Sequence, residues 1–118
     1  MPAHIVIVED DRAVRAALAF ALEAEGWRVS AFADPAVALA RAAPAACLVV
    51  DFHLPGIDGL ELIAAWGLRE PRPPAVLITA SPNASCRARA AAAGVVIVEK
   101  PLVNSELVQR VRDAVQPD

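Results

Sequence analysis

Four short apolar runs punctuate this chain, and each ends in a reactive side chain: IVIV before Glu9 and Asp10, CLVV before Asp51, AVLI before Thr79, and VVIV before Glu99 and Lys100. Continuous runs of this length are what strands become when helices cover both faces of a parallel sheet. Parallel strands put their carboxyl ends on one edge. Three carboxylates, a hydroxyl and an ammonium then converge there, which is the composition of an active site.

The intervening segments read as helices. The first strand covers about residues 4–8, and a helix follows over 12–24 with Val14, Leu18, Phe20, Ala21 and Leu22 as its apolar face and Gly26 as its stop. The second strand takes residues 28–32. Asp34-Pro35 places a capping carboxylate before proline at the first helical position, opening a helix to about 42 with Pro44 beyond it. The third strand is 47–51, followed by the turn-rich loop FHLPGIDG and a helix over LELIAAWG. The fourth strand is 75–79. Ser81-Pro82 repeats the cap pattern for an alanine-rich helix to about 93, with Gly94 as its stop. The fifth strand is 95–98, and Asn104 caps a last helix to about 115. Five parallel strands in a doubly wound α/β sandwich result, within one domain over residues 1–118, a length that gives one core and not two.

Composition removes several function classes. Net charge is −3, and aromatics make up 4% with no Tyr, so no basic, aromatic-studded nucleic-acid surface forms. The start MPAHIVIV lacks the basic segment, long apolar stretch and cleavage site of a signal peptide, and no run reaches membrane-spanning length, so a cytoplasmic protein is expected. Cys47 and Cys86 have no CxxC spacing or histidine partner and read as free, structural thiols.

In a doubly wound sheet the crevice lies outside the carboxyl ends of the first and third strands. Glu9, Asp10 and Asp51 face it together. Clustered carboxylates stay ionised only beside a cation, and all-oxygen ligation with retained waters points to a magnesium ion. Lys100 suits an anion in the same crevice. Phosphoryl transfer is the chemistry implied. Thr79 has no base nearby in sequence and neither cysteine ends a strand beside a histidine, which leaves a carboxylate nucleophile; Asp51, after the most buried-looking run, is the best candidate.

At this point the chain strongly resembles the receiver domain of two-component response regulators over nearly its whole length. The matching segments are IVIVEDD at 5–11, LVVDFHLPGIDGLEL at 48–62, VLITA at 76–80 and AGVVIVEKPL at 93–102. The resemblance implies a flavodoxin/CheY-like (βα)5 sandwich with strand order 2-1-3-4-5. It makes Asp51 the phospho-acceptor and Glu9 and Asp10 the acidic pair, with Asp10 the more direct magnesium ligand and the His53 backbone carbonyl the third. Thr79 becomes the switch hydroxyl, Lys100 the partner of the phosphoryl oxygen, and Lys100-Pro101 a cis peptide. His53 and Ser81 fall where such domains flank the path of the hydrolytic water, so His53→Ala is expected to change the dephosphorylation rate, and an unchanged rate would refute that role. One position departs: three residues before the lysine the family carries Tyr or Phe, and here stands Ile97, which has no ring to swing. Output through backbone shifts of the loop after the fourth strand is expected instead; a large side-chain flip of Ile97 between free and phosphate-mimic-bound forms would contradict it.

The implied partners are a sensor histidine kinase or phosphotransfer protein, an output domain or downstream protein, and a second copy through the face of the fourth helix, fifth strand and fifth helix. Neither nucleic acid nor membrane is a direct partner, and enzyme activity is limited to self-phosphorylation and autodephosphorylation. Both a stand-alone receiver and a piece of a longer regulator or hybrid kinase fit the chain. Bland readings exist for each part alone: Glu9-Asp10-Asp11 as a solvated helix start, with Asp11 chiefly a cap, Thr79 as a strand-end hydroxyl, Lys100 as a surface lysine. His4 is expected to be exposed, Trp27 and Trp66 partly buried, Asp58-Gly59 a helix start, and Arg87, Arg89, Arg110 and Arg112 solvated or part of a partner surface. Among other classes, a haloacid-dehalogenase-like phosphatase wants an aspartate where His53 stands, and a flavodoxin-like cofactor binder wants a glycine- or hydroxyl-rich loop where this chain is acidic. A phosphorylation-independent binding module is disfavoured by intact Asp10, Asp51, Thr79 and Lys100.

Overall fold

The pleat of three central strands divides the core. The computed structural model describes residues 2–68, 71–100 and 105–116. Strands β1 (His4–Val8), β3 (Cys47–Asp51) and β4 (Ala75–Thr79) are buried at every position. They lie between β2 (Arg28–Phe32) and β5 (Val96–Glu99) in a parallel sheet of order β2-β1-β3-β4-β5. Side chains alternate between faces. Ile5, Ile7, Cys47, Val49, Val76 and Ile78 pack under helices α1 (Arg12–Glu23) and α5 (Glu106–Val115). Val6, Val8, Leu48, Val50 and Leu77 pack under α2 (Pro35–Arg41), α3 (Gly59–Gly67) and α4 (Ala84–Ala93). Burial on both sides is why those three strands carry no alternation in sequence, whereas the edge strands β2 and β5 are half exposed.

The expected fold class and strand order are those of the structure. Several local expectations need correction. Phe20 is 76% exposed, because α1 turns Val14, Leu18 and Leu22 inward at four-residue spacing and residue 20 lies two positions off that stripe. The cap of α4 is Asn83, whose Oδ1 accepts from Cys86 N at 2.8 Å, and not Ser81; residues 80–83 therefore form a free loop after Thr79. Strand β5 runs one residue later than expected, since Gly94 and Val95 close the turn. His4 is buried, with Nδ1 donating to the Pro44 carbonyl at 2.9 Å and Nε2 meeting Ser30 Oγ at 2.7 Å. Trp66 is fully and not partly buried, while Trp27 is half-buried. Both cysteines are free and buried, and burial pushes the Cys47 thiol up to about 12. The cis peptide expected at Pro101 and the cap expected at Asn104 lie outside the described residues. Among the described residues no helix is long and apolar enough to cross a membrane.

Candidate functional site

Three strand ends and one loop bring the acidic cluster together. Glu9 continues β1, its N–H bonded to the Phe32 carbonyl at 3.0 Å, and is 0% exposed. Its Oε2 accepts from Asp11 N at 3.1 Å and its Oε1 from Lys100 Nζ at 3.1 Å. Asp10 projects to solvent. Asp11 caps α1, accepting from Val14 N at 2.9 Å, so that the three consecutive acids have separate tasks. Arg15, in the first turn of α1, donates to the Glu9 carbonyl at 2.9 Å and ties the acidic loop to the helix. Nothing in sequence spacing singles Arg15 out for this, since the bond depends on how the loop folds back over α1.

Asp51 closes β3 and is 4% exposed. Carboxylate oxygens of Glu9, Asp10 and Asp51 lie within 4.8 Å of one another. Lys100 leaves β5 with its N–H bonded to the Thr79 carbonyl at 2.9 Å, which aims the side chain between Glu9 and Asp51. Its Nζ stands 3.4 Å from Asp51 Oδ1, close enough for charge attraction but without hydrogen-bond geometry, and Oδ1 is left with no hydrogen-bond partner among the described residues. Thr79 is 1% exposed and its Oγ1 is likewise unpartnered. Buried polar atoms are nearly always bonded, so two orphaned oxygens at one strand edge mark a site prepared for something else. Thr79→Val, which replaces the orphan hydroxyl with a methyl of similar size, should raise stability by about 1 kcal/mol in urea unfolding; a loss of that size would mean that the hydroxyl is bonded.

The electrostatics follow from the geometry. Burial pushes the Glu9 carboxyl above its ordinary value of 4.5, and the Asp51 charge adds to this, while the Asp11 N–H and Lys100 oppose it without cancelling it. Lys100 loses some basicity to burial, but its hydrogen bond to Glu9 and the charges of Asp51 and Glu9 outweigh that and hold it above the usual lysine value. Because Glu9 is raised on folding, its contribution to stability is complete below about pH 4.5 and is lost as pH rises through the folded value. In metal-free protein Glu9→Gln should therefore unfold at higher urea than wild type at pH 7, with the gap closing toward pH 4.5. A gap that widens on acidification would refute this.

Beside the acids, the loop after β3 turns back through Phe52, whose N–H donates to the Ile78 carbonyl at 2.9 Å and whose carbonyl accepts from Gly59 N at 2.8 Å. Asp58 and Glu61 form a reciprocal capping box at the start of α3. Gly59 is more than a helix start: a Cβ there would collide with the Asp51 carbonyl oxygen and stand 2.8 Å from Leu77 Cδ1. A glycine where alanine is the better helix former was the available sequence signal. His53 is exposed, with its ring edge-on to Phe52 at 5.0 Å, Ser81 is exposed, and Ile97 is half-buried against the core.

Arg89 of α4 grips Asp58 with both terminal nitrogens, at 3.1 and 3.0 Å. Burial alone would raise the Asp58 carboxyl, but Arg89 together with the Glu61 and Leu60 N–H groups holds it below the usual carboxylate value. Arg87 pairs with Glu99, Arg110 with Asp113, and Arg112 with Glu25; the side chains remain partly exposed, so these arginines lie on solvated faces as expected and carry surface ion pairs there.

A family model described as the response regulator receiver domain matches residues 5–112. The transcriptional regulatory protein FixJ of Bradyrhizobium diazoefficiens is 31% identical over 117 residues, covering 96% of this chain and 57% of that protein. The C4-dicarboxylate transport transcriptional regulatory protein DctD of Rhizobium meliloti is 32% identical over 93% of this chain and 25% of its own length. The chain thus spans little more than half, or less, of these relatives. Among solved structures, a CheY-like receiver domain protein from Methanospirillum hungatei superposes with TM-score 0.91 at 22% identity, covering 99% of this chain and 96% of that one. FixJ-N superposes with TM-score 0.87 at 27% identity, over 98% and 95%.

Proposed function

This chain belongs to the response regulator receiver domain family of two-component systems, and from that premise we propose that Asp51 is its phospho-acceptor, served by Glu9, Asp10, Thr79 and Lys100. The observation that carries the assignment is Asp51 Oδ1: a buried carboxylate oxygen with no hydrogen bond, facing a lysine and flanked by two further acids. A carboxylate left free in this way is a nucleophile, since hydrogen bonds would occupy the lone pairs that attack phosphorus.

The donor set fits a magnesium ion, because three carboxylates with oxygens so close repel one another unless a hard cation sits among them. Glu9, Asp10 and Asp51 would hold it, with the His53 carbonyl as a further oxygen, and it would supply neutralisation of the charge on the incoming phosphoryl group. In the transfer one Asp51 oxygen forms a bond to phosphorus as the donor's bond to phosphorus breaks. The leaving group keeps that electron pair: acetate from acetyl phosphate, imidazole from a phosphohistidine. Lys100, already drawn in by Glu9 and Asp51, has its ammonium where a phosphoryl oxygen would develop charge. Thr79 offers the unpartnered hydroxyl as donor to another.

Switching follows because the added group brings nearly two negative charges, and the conformation that satisfies them gains in population. Residues 1–118 act as one receiver domain that takes its phosphoryl group from a histidine kinase or phosphotransfer protein and controls an output domain or partner protein. Its own chemistry is confined to phosphorylation and autodephosphorylation. The test is incubation with acetyl phosphate, with and without magnesium, followed by intact mass measurement. One phosphoryl group is expected with magnesium and none without it. No adduct with any donor or metal would turn the reading to a phosphorylation-independent binding module.

A further inference from the structure

Helix α4 is held to the rest of the molecule by little apolar surface. Of its sequence ASCRARAAAA only Cys86 and Ala90 are buried, whereas α3 buries Leu60, Leu62, Ile63 and Trp66. Hydrophobic burial scales with area, so the placement of α4 depends more than that of α3 on its polar ties. Besides the bond from Arg72 to the Ala93 carbonyl at its end, α4 sends out two ties from its own side chains, to different neighbours. Arg87 reaches Glu99 of β5 at 3.1 Å. Arg89 reaches the loop after β3, gripping Asp58 through both terminal nitrogens, with its Cζ 5.9 Å from the centre of the Phe52 ring.

We propose that Arg89 is a positioning residue that relays the state of Asp51 to α4, through Phe52 beneath its guanidinium and Asp58 at its tip. The inference rests on the reading of Asp51 as acceptor. Phe52 is the next residue after Asp51, and its peptide is bonded on both sides, to the Ile78 carbonyl and from Gly59 N. A shift of the Asp51 backbone therefore moves the Phe52 ring. Asp58 is held by the capping box of α3, so the grip gives Arg89 a fixed anchor beside the Phe52 ring. The two-pronged grip on Asp58 fixes the direction of the Arg89 guanidinium, and its Cζ lies 5.9 Å from the Phe52 ring centre, within cation–π reach, so one side chain feels both the loop acid and the ring. Ile97 of β5, packed half-buried on the same core, has no ring or polar tip to exchange between positions.

Amide hydrogen exchange over residues 84–93, measured with and without beryllium fluoride and magnesium, tests this. In wild type, loading is expected to change the exchange of α4. Arg89→Gln should load to the same extent but retain less than about a third of that change, since the amide keeps neither the charge nor the fork. Arg87→Gln, which cuts the tie to β5, should keep the full response. The relay is overturned if α4 of Arg89→Gln responds as wild type does, if Arg87→Gln loses the response equally, or if wild-type α4 does not respond although the protein loads. Failure of wild type to load at all overturns the acceptor assignment together with the relay.

Discussion

Asp51→Asn is expected to reduce the phosphoryl adduct from acetyl phosphate and magnesium to below about a hundredth of wild type, because an amide oxygen is not a usable nucleophile at phosphorus. The substitution keeps shape and removes one charge from a cluster whose oxygens lie within 4.8 Å of one another. Two consequences separate it from simple misfolding. Like-charge repulsion falls, so the metal-free variant should unfold at the same or higher urea than wild type. Magnesium affinity should fall, since one of three carboxylates is gone. An adduct that persists in full on folded Asp51→Asn would place the acceptor elsewhere, and Asp10, the exposed carboxylate of the cluster, would be the first alternative.

Gly59→Ala should destabilise the protein strongly, as Gly59 is the one of the five glycines where an added Cβ meets atoms of the described residues closer than 3.0 Å. Its Cβ would collide with the Asp51 carbonyl oxygen, stand 2.8 Å from Leu77 Cδ1 and 3.1 Å from the Asp51 carbonyl carbon. Neither neighbour can yield cheaply: one is backbone at the end of a buried strand, the other a side chain with no exposed surface. Overpacking of this kind costs about 2–3 kcal/mol, more than the roughly 1 kcal/mol that alanine gains over glycine within a helix. Because the strain falls on the peptide of Asp51, the rate of phosphorylation should drop as well. Gly67→Ala is the control, since among the described residues its Cβ would meet Arg72 atoms at 3.6 and 3.8 Å, an ordinary contact. Urea unfolding of both variants decides the matter, and a Gly59→Ala midpoint equal to wild type would sink the packing argument.

Much of this site was legible in the linear sequence because strands announce themselves twice, by an apolar run and by the reactive residue at its end. Glu9, Asp51, Thr79 and Lys100 each stand at or just beyond the end of such a run, and the parallel sheet brings those positions to one edge. Asp11 and Asp34 were equally legible as caps, because capping is a local matter of a side chain and the next turn. Asn83 shows the limit of that locality. The cap expected at Ser81 falls two residues later, on Asn83, where the helix of the folded chain starts. Phe20 shows another, for an apolar residue in a helix says nothing of direction until the helix has a sheet to face.

The alternation of parallel strands with helices and the residue types of the crevice could be read from the linear chain, because both depend on local pattern and on offsets from strand ends, whereas the strand order 2-1-3-4-5 came with the resemblance to receiver domains. How those groups are held was settled by the packing of the layers. Packing turned Glu9 inward against Lys100, left Asp51 Oδ1 and Thr79 Oγ1 without partners, pressed Gly59 onto the Asp51 carbonyl and brought Arg89 over Phe52. These are contacts between residues distant in sequence, such as Glu9 with Lys100, or between atoms whose distance depends on helix packing. Local propensity carries no information about such distances, which are fixed only when the layers close on one another.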